Sequence, residues 1–219
     1  MHSVFLILFL AVSLFHLYDC WRDSDRRKKS KPFLLLFLIL FYVCAVKQPL
    51  VFLLLALITC WLGDVLLIPK GHGWFTAGGI SFLFGHVFFI LTYAGQVQFE
   101  GQPVWLLILA ALLYFCISFL IMRAVMPTTP KPMVVPMFLY LLANSLMNLF
   151  ALMLLTTHRN AGAVIAYIGA VLFFISDCSL FLVRYYKDET LIFKKHFTVM
   201  LTYIASVFLI VHGIIKLLK

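Results

Sequence analysis

The sequence predicts an all-α fold, a polytopic membrane bundle of eight transmembrane helices. Three observations carry that prediction. Hydrophobic residues make up 64% of the chain and charged residues only 11%, against about 45–50% and 25% in soluble domains. Mean hydropathy is +1.09. Apolar segments follow one another at 2–20, 32–47, 48–69, 74–95, 103–123, 133–156, 161–184 and 191–216. Most approach the ~20 residues that a helix needs to cross ~30 Å of hydrocarbon. No polar stretch between them can build a second domain, so residues 1–219 read as one transmembrane domain.

The first segment ends in "HLYDCWRDSD", with no small-x-small cleavage site and no basic stretch before it. It is expected to stay as a spanning helix rather than act as a cleaved signal. The second segment is short, and Lys31 and Lys47 at its ends are expected to snorkel to the interfaces. Pro32, Pro49 and Pro103 fall near helix starts, where proline does least harm, whereas Pro136 lies one turn inside helix six. Short connections make sequential helices antiparallel neighbours. "LGDVLL" in helix three and "ISDCSL" in helix seven echo one another. These helices run in the same direction, compatible with two parallel four-helix halves.

Charge sets the orientation. Of the 17 Lys and Arg residues, only Lys47, Arg159, Lys216 and Lys219 fall outside loops 1–2, 3–4, 5–6 and 7–8. The positive-inside rule puts those four loops in the cytoplasm, with the even loops and both termini outside. The basic run "RDSDRRKKSK" joins two spanning helices, so it reads as a contact with anionic lipid headgroups and not as a nucleic-acid patch. The net charge of +9 follows from this topology. Cysteines 20, 44, 60, 116 and 178 form no CxxC pair; they read as small apolar fillers, without a disulfide framework or zinc site. Asp19, Asp23, Asp25, Asp188 and Glu189 are expected at loop edges.

Two acids do not fit a purely apolar bundle. Asp64 sits in "TCWLGDVLLIPKG" and Asp177 in "FFISDCSLFLVRYY". An ionised carboxylate there costs roughly 2.5–3.5 kcal/mol or more, which makes an intramembrane acid a functional candidate. At 1.5 Å per residue Asp64 lies about 7–8 Å, and Asp177 about 10 Å, from the same cytoplasmic side. His86 is near the middle of helix four, with Ser81 about a turn and a half before it. Tyr140, Asn144 and Asn148 share one face of helix six. Tyr203 lies midway along helix eight. Interhelical hydrogen bonding alone would account for Asn144, Asn148, Ser81 and Tyr203, and a structural role for His86 is as good a reading as a functional one. Gly63, Gly78, Gly79 and Gly85 would let backbones or a ligand approach closely.

The order and spacing of "KPFLLL", "LGDVLL", "GGISFLFGHVFFI" and "GAVLFFISDCSLFL" along most of the chain resemble the lysoplasmalogenase (YhhN-like) family of membrane proteins. The resemblance implies hydrolysis of the vinyl-ether bond of lysoplasmalogens, giving a fatty aldehyde and glycerophosphoethanolamine or glycerophosphocholine. It also implies that Asp64 and Asp177 are the catalytic pair. The spacing alone shows only a paired-acid site in a membrane bundle.

The chemistry fits that implication. Vinyl ethers are acid-labile: protonation of the carbon β to oxygen gives an oxocarbenium ion, which water captures. A protonated acid, a nearby anion and one water suffice, and two close carboxylates share protons because like charges in a low dielectric are costly. Which aspartate takes which part is not legible. His86, Asn144, Asn148, Tyr140, Ser81, Tyr203 and Lys31 are the supporting candidates, and Lys31, Lys70, Arg123 and Lys131 are on the side of the phosphate. No cofactor and no metal is expected. Expected partners are the lysophospholipid substrate, water and membrane lipids; the oligomeric state is not legible. A compact chain without a targeting tail fits a bacterial inner membrane, although an endoplasmic reticulum protein would look similar. A proton- or lipid-coupled transporter is the main alternative and requires a polar path through both leaflets. An intramembrane aspartyl protease would show GxGD, but Trp61 takes the place of the first glycine. A non-catalytic lipid-binding or scaffolding protein is the remaining reading.

Overall fold

The computed structural model describes residues 2–188 and 190–219; Met1 and the expected loop-edge Glu189 lie outside them. The described residues contain no strand. They form α1 (His2–Trp21), α2 (Arg27–Ala45), α3 (Val51–Leu66), α4 (His72–Ala94), α5 (Val104–Val125), α6 (Lys131–His158), α7 (Ala161–Tyr185) and α8 (His196–Leu217), with a short 3₁₀ turn (Met126–Thr128) before α6. Six of these helices are long and apolar enough to cross a membrane, and the chain is a multi-pass membrane protein. The other two are α3, at 16 residues, and α2, whose first turns are the basic run Arg27–Lys31.

Two boundaries differ from expectation in ways that shape the site. α2 starts at Arg27, five residues before the apolar run, so Lys31 and Pro32 are inside the helix. Lys31 does not snorkel outward; its side chain is 16% exposed and turns into the bundle. α3 stops at Leu66. Pro69 explains this, because it disfavours helical backbone at Ile68 and has no N–H to donate. Asp64 therefore sits in the last turn of α3, nearer the helix end than the expected ~7–8 Å. Asp19, expected at a loop edge, is buried in the last turn of α1.

Helices α2, α3, α4, α6, α7 and α8 follow one another around a closed ring. α1 packs against α2 and α8, and α5 lies outside on α6 and α7. Around the ring the order α2–α3–α4 is followed by α6–α7–α8, but the outer helices do not correspond, since α1 contacts α2 and α8 whereas α5 contacts α6 and α7. Glycines set the closest seams. A Cβ on Gly63 would lie 2.6 Å from the Phe82 ring, and one on Gly85 would lie 2.7 Å from Cys60 Sγ. Bulk there would part α3 from α4. Between α7 and α8 the approach is backbone to backbone: a Cβ on Gly213 would lie 2.5 Å from Ala166 N, and one on Gly169 2.7 Å from Ile210 N. Gly79 faces open space instead.

Candidate active site

The ring encloses a cavity of about 930 Å³. All of its helices and α1 contribute walls, and Asp64 and Asp177 both line it. Its rim comes from the ends of α1, α2 and α7 and from the α3–α4, α5–α6 and α7–α8 connections, which is the basic face of the protein. No residue of the α2–α3, α4–α5 or α6–α7 connections lines it. The cavity therefore opens at one end only.

Each acid is held from two helices. Asp64 is 2% exposed. Its Oδ1 lies 3.2 Å from Lys31 Nζ on α2, and its Oδ2 accepts a 2.8 Å hydrogen bond from the Tyr203 hydroxyl on α8. Asp177 is 5% exposed. Its Oδ2 accepts a 2.9 Å hydrogen bond from Asn144 Nδ2 on α6 and lies 3.1 Å from His86 Nε2 on α4. The helix echo thus extends to the partners: α2 and α8 serve the acid on α3, and the corresponding α6 and α4 serve the acid on α7. Neither acid hydrogen-bonds the other, and the two face the cavity from separate walls.

The support of Asp177 is ordered in depth. Asn148 Nδ2 donates to the Asn144 carbonyl at 3.0 Å and to its Oδ1 at 3.3 Å. This fixes the amide so that its NH₂ faces Asp177. His86 is fully buried, and its Nδ1 bonds the Phe82 carbonyl at 2.8 Å. A carbonyl only accepts, so Nδ1 carries a proton and Nε2 is the atom presented to Asp177. Rings lock this arrangement: His86 lies edge-on to Tyr140 and Phe173, and Phe173 lies edge-on to Tyr203. The Tyr140 hydroxyl also reaches Asp177.

Among the residues expected at the site, the structure brings Asp64, Lys31 and Tyr203 together on one side and Asp177, His86, Tyr140, Asn144 and Asn148 on the other. Ser81 is not among them; its hydroxyl donates to the Thr59 carbonyl at 2.7 Å and pins α4 to α3. Arg123 and Lys131, expected near a phosphate, do not line the cavity, because Arg123 is on the outer helix α5 and Lys131 is exposed at the start of α6. Arg27, Lys28, Arg184 and Lys195 are at the rim instead. Two of these are engaged by loop carboxylates: Arg27 pairs with Asp23 and Lys28 with Asp25. The guanidinium of Arg27 holds the Asp23 carboxyl below its ordinary range. His16, on α1, also lines the cavity and bonds Ser30 Oγ through Nδ1 at 2.8 Å. No motif in the sequence marked it.

This combination defines a class: a multi-pass membrane protein with two buried carboxylates facing one cavity that opens at a basic face. The chain belongs to the YhhN family, whose model matches residues 27–214. The match takes in both acids and every partner described for them, and leaves out α1. The chain matches no curated protein and no solved structure.

Proposed function

We propose that the protein is a lysoplasmalogenase, a hydrolase of the vinyl-ether bond of alkenyl-glycerophospholipids. Family membership supports the reaction class. The observation that carries the mechanism is the orientation of His86. Its Nδ1 proton is committed to Phe82 O, and its Nε2, 3.1 Å from Asp177 Oδ2, makes no aligned hydrogen bond. A bare Nε2 beside an ionised carboxylate in so buried a place is costly, so this reading puts a proton on the Asp177 carboxyl. Asp177, with His86 behind it, is the acid. Asp64 receives the Lys31 ammonium and the Tyr203 hydroxyl, both donors, and so is held as the anion.

The reaction follows with balanced protons. The alkenyl chain lies in the cavity, with its phosphate toward the basic rim. Asp177 gives its proton to the β-carbon of the vinyl ether, and the π electrons form the new C–H bond. The resulting oxocarbenium ion is stabilised by the Asp64 carboxylate. Water adds to the α-carbon and loses a proton to Asp177, which is thereby protonated again for the next cycle. The hemiacetal then breaks its bond to the glycerol oxygen, which takes up a proton. The products are one aldehyde and one glycerophospho-alcohol. The one-ended cavity supports this reading over a transporter, which needs a path through both leaflets.

The test is isotopic. Protein in liposomes is given lysoplasmenylethanolamine in D₂O, and the aldehyde is trapped as it forms. β-Carbon protonation puts one deuterium on the carbon next to the aldehyde carbonyl. Aldehyde without that deuterium, or no aldehyde at all, contradicts the proposal.

A further inference from the structure

We infer that Arg184 and Tyr185 form a phosphodiester subsite at the rim of the cavity, set at a fixed distance from Asp177 so that headgroup binding positions the vinyl ether for protonation. The inference rests on the reading of the protein as a lysoplasmalogenase. Arg184 lines the cavity and its guanidinium stacks over the Phe75 ring, 4.2 Å from the centroid. Arg27 and Lys28 at the same rim are engaged by Asp23 and Asp25. Arg184 has no such carboxylate among the described residues. Stacking fixes its plane without using up its N–H groups, which keeps the fork that matches a phosphate.

Tyr185 supplies the second, independent sign. The residue is 7% exposed and lines the cavity, yet its hydroxyl has no hydrogen-bond partner. A buried hydroxyl without a partner costs free energy unless a ligand supplies one. Its ring lies edge-on to the same Phe75 that carries Arg184, with centroids 6.0 Å apart. One aromatic thus holds both groups at the rim.

The spacing fits the substrate class. Arg184 is seven residues after Asp177 on α7, so the two share a face and are about 10 Å apart along the axis. In a 1-alkenyl glycerophospholipid six bonds separate the vinyl-ether α-carbon from phosphorus, about 7 Å when extended. Adding the reach of one hydrogen bond at the phosphate, a headgroup on Arg184 leaves the vinyl ether level with Asp177.

The test compares lysoplasmenylethanolamine with the matched 1-alkenylglycerol, which has no phosphate, using the full chain in liposomes. Arg184→Gln should raise KM for the phosphodiester substrate by about 10-fold or more and leave KM for alkenylglycerol unchanged. Arg184→Lys, which keeps charge but not the fork, should fall between, and Tyr185→Phe should give a smaller rise confined to the phosphodiester. A loss shared equally by both substrates, or a wild-type KM in Arg184→Gln, overturns the subsite. If wild type cleaves neither vinyl ether, the lysoplasmalogenase reading fails. Binding of lysophosphatidylethanolamine then still decides the subsite: equal Kd in wild type and a stably folded Arg184→Gln overturns it, and a weakened Kd in the variant supports it. Competition by glycerophosphoethanolamine at concentrations where inorganic phosphate does not compete marks a headgroup site. Competition by inorganic phosphate alone marks a free-anion site and also overturns the inference.

Discussion

His86 Nε2 lies 3.1 Å from Asp177 Oδ2, while the other ring nitrogen is committed to the Phe82 carbonyl one turn back on the same helix. That relationship separates the two acids, which the sequence leaves equivalent. Asp177 faces the Nε2 of that imidazole. Asp64 faces an ammonium and a phenol.

Replacing His86 therefore acts on the chemical step. In His86→Gln the imidazole that sets the protonation of Asp177 is lost, and kcat should fall on the order of 100-fold, the lower end of general acid–base contributions. KM should stay near wild type, because the ring is fully buried. Steady-state aldehyde release across substrate concentrations separates the two constants.

Lys31 and Asp64 form a buried ion pair, and removing one member of such a pair costs more than removing both. Lys31→Met should lower the melting temperature in detergent by more than Lys31→Met combined with Asp64→Asn. The double-mutant cycle should show favourable coupling of roughly 1–3 kcal/mol. Additive melting shifts would show that the pair does not interact.

Tyr203 can be tested with little disturbance of packing, because its ring lies edge-on between Phe82 and Phe173 and phenylalanine retains that surface. Tyr203→Phe removes one donor to Asp64. It should reduce kcat about 10-fold, the equivalent of roughly 1.4 kcal/mol, with only a small fall in melting temperature, because Lys31 still pairs with the carboxylate.

The α7–α8 seam sets the position of Asp177 relative to Tyr203. Gly213→Ala puts a Cβ 2.5 Å from Ala166 N, where backbone cannot yield cheaply. A destabilisation of about 1–3 kcal/mol is expected. Gly79→Ala meets nothing within 4 Å and should leave the melting temperature unchanged or slightly raised, since alanine favours helix. Melting curves of both variants make the comparison.

How much of this was legible follows from where the signals lie. The eight helices and the two acids stand out because apolar runs of spanning length and carboxylates within them are rare in any other setting. Asn144, Asn148 and Tyr140 share a helix face by spacing alone, and they share it in the structure. Lys31 reads from the sequence both as an interfacial anchor and as a supporting site residue, because a basic run looks like a loop until its residues are counted as helical turns; the structure turns it to Asp64. Ser81 was indistinguishable from a site residue, since nothing in a sequence shows that a hydroxyl is taken by a carbonyl on the next helix. The close α7–α8 seam rests on Gly162, Gly169 and Gly213, whose close approach depends on the partner helix. Arg184 carried one usable signal, its seven-residue spacing from Asp177, and that gains meaning only once both are seen to line one cavity.

The most direct measurement is aldehyde release from lysoplasmenylethanolamine by wild type, Asp177→Asn and Asp64→Asn, each reconstituted in liposomes and matched for folded protein. The paired-acid account predicts rapid release by wild type and a loss of kcat on the order of 100-fold or more in both variants. Undiminished release in both variants would contradict it.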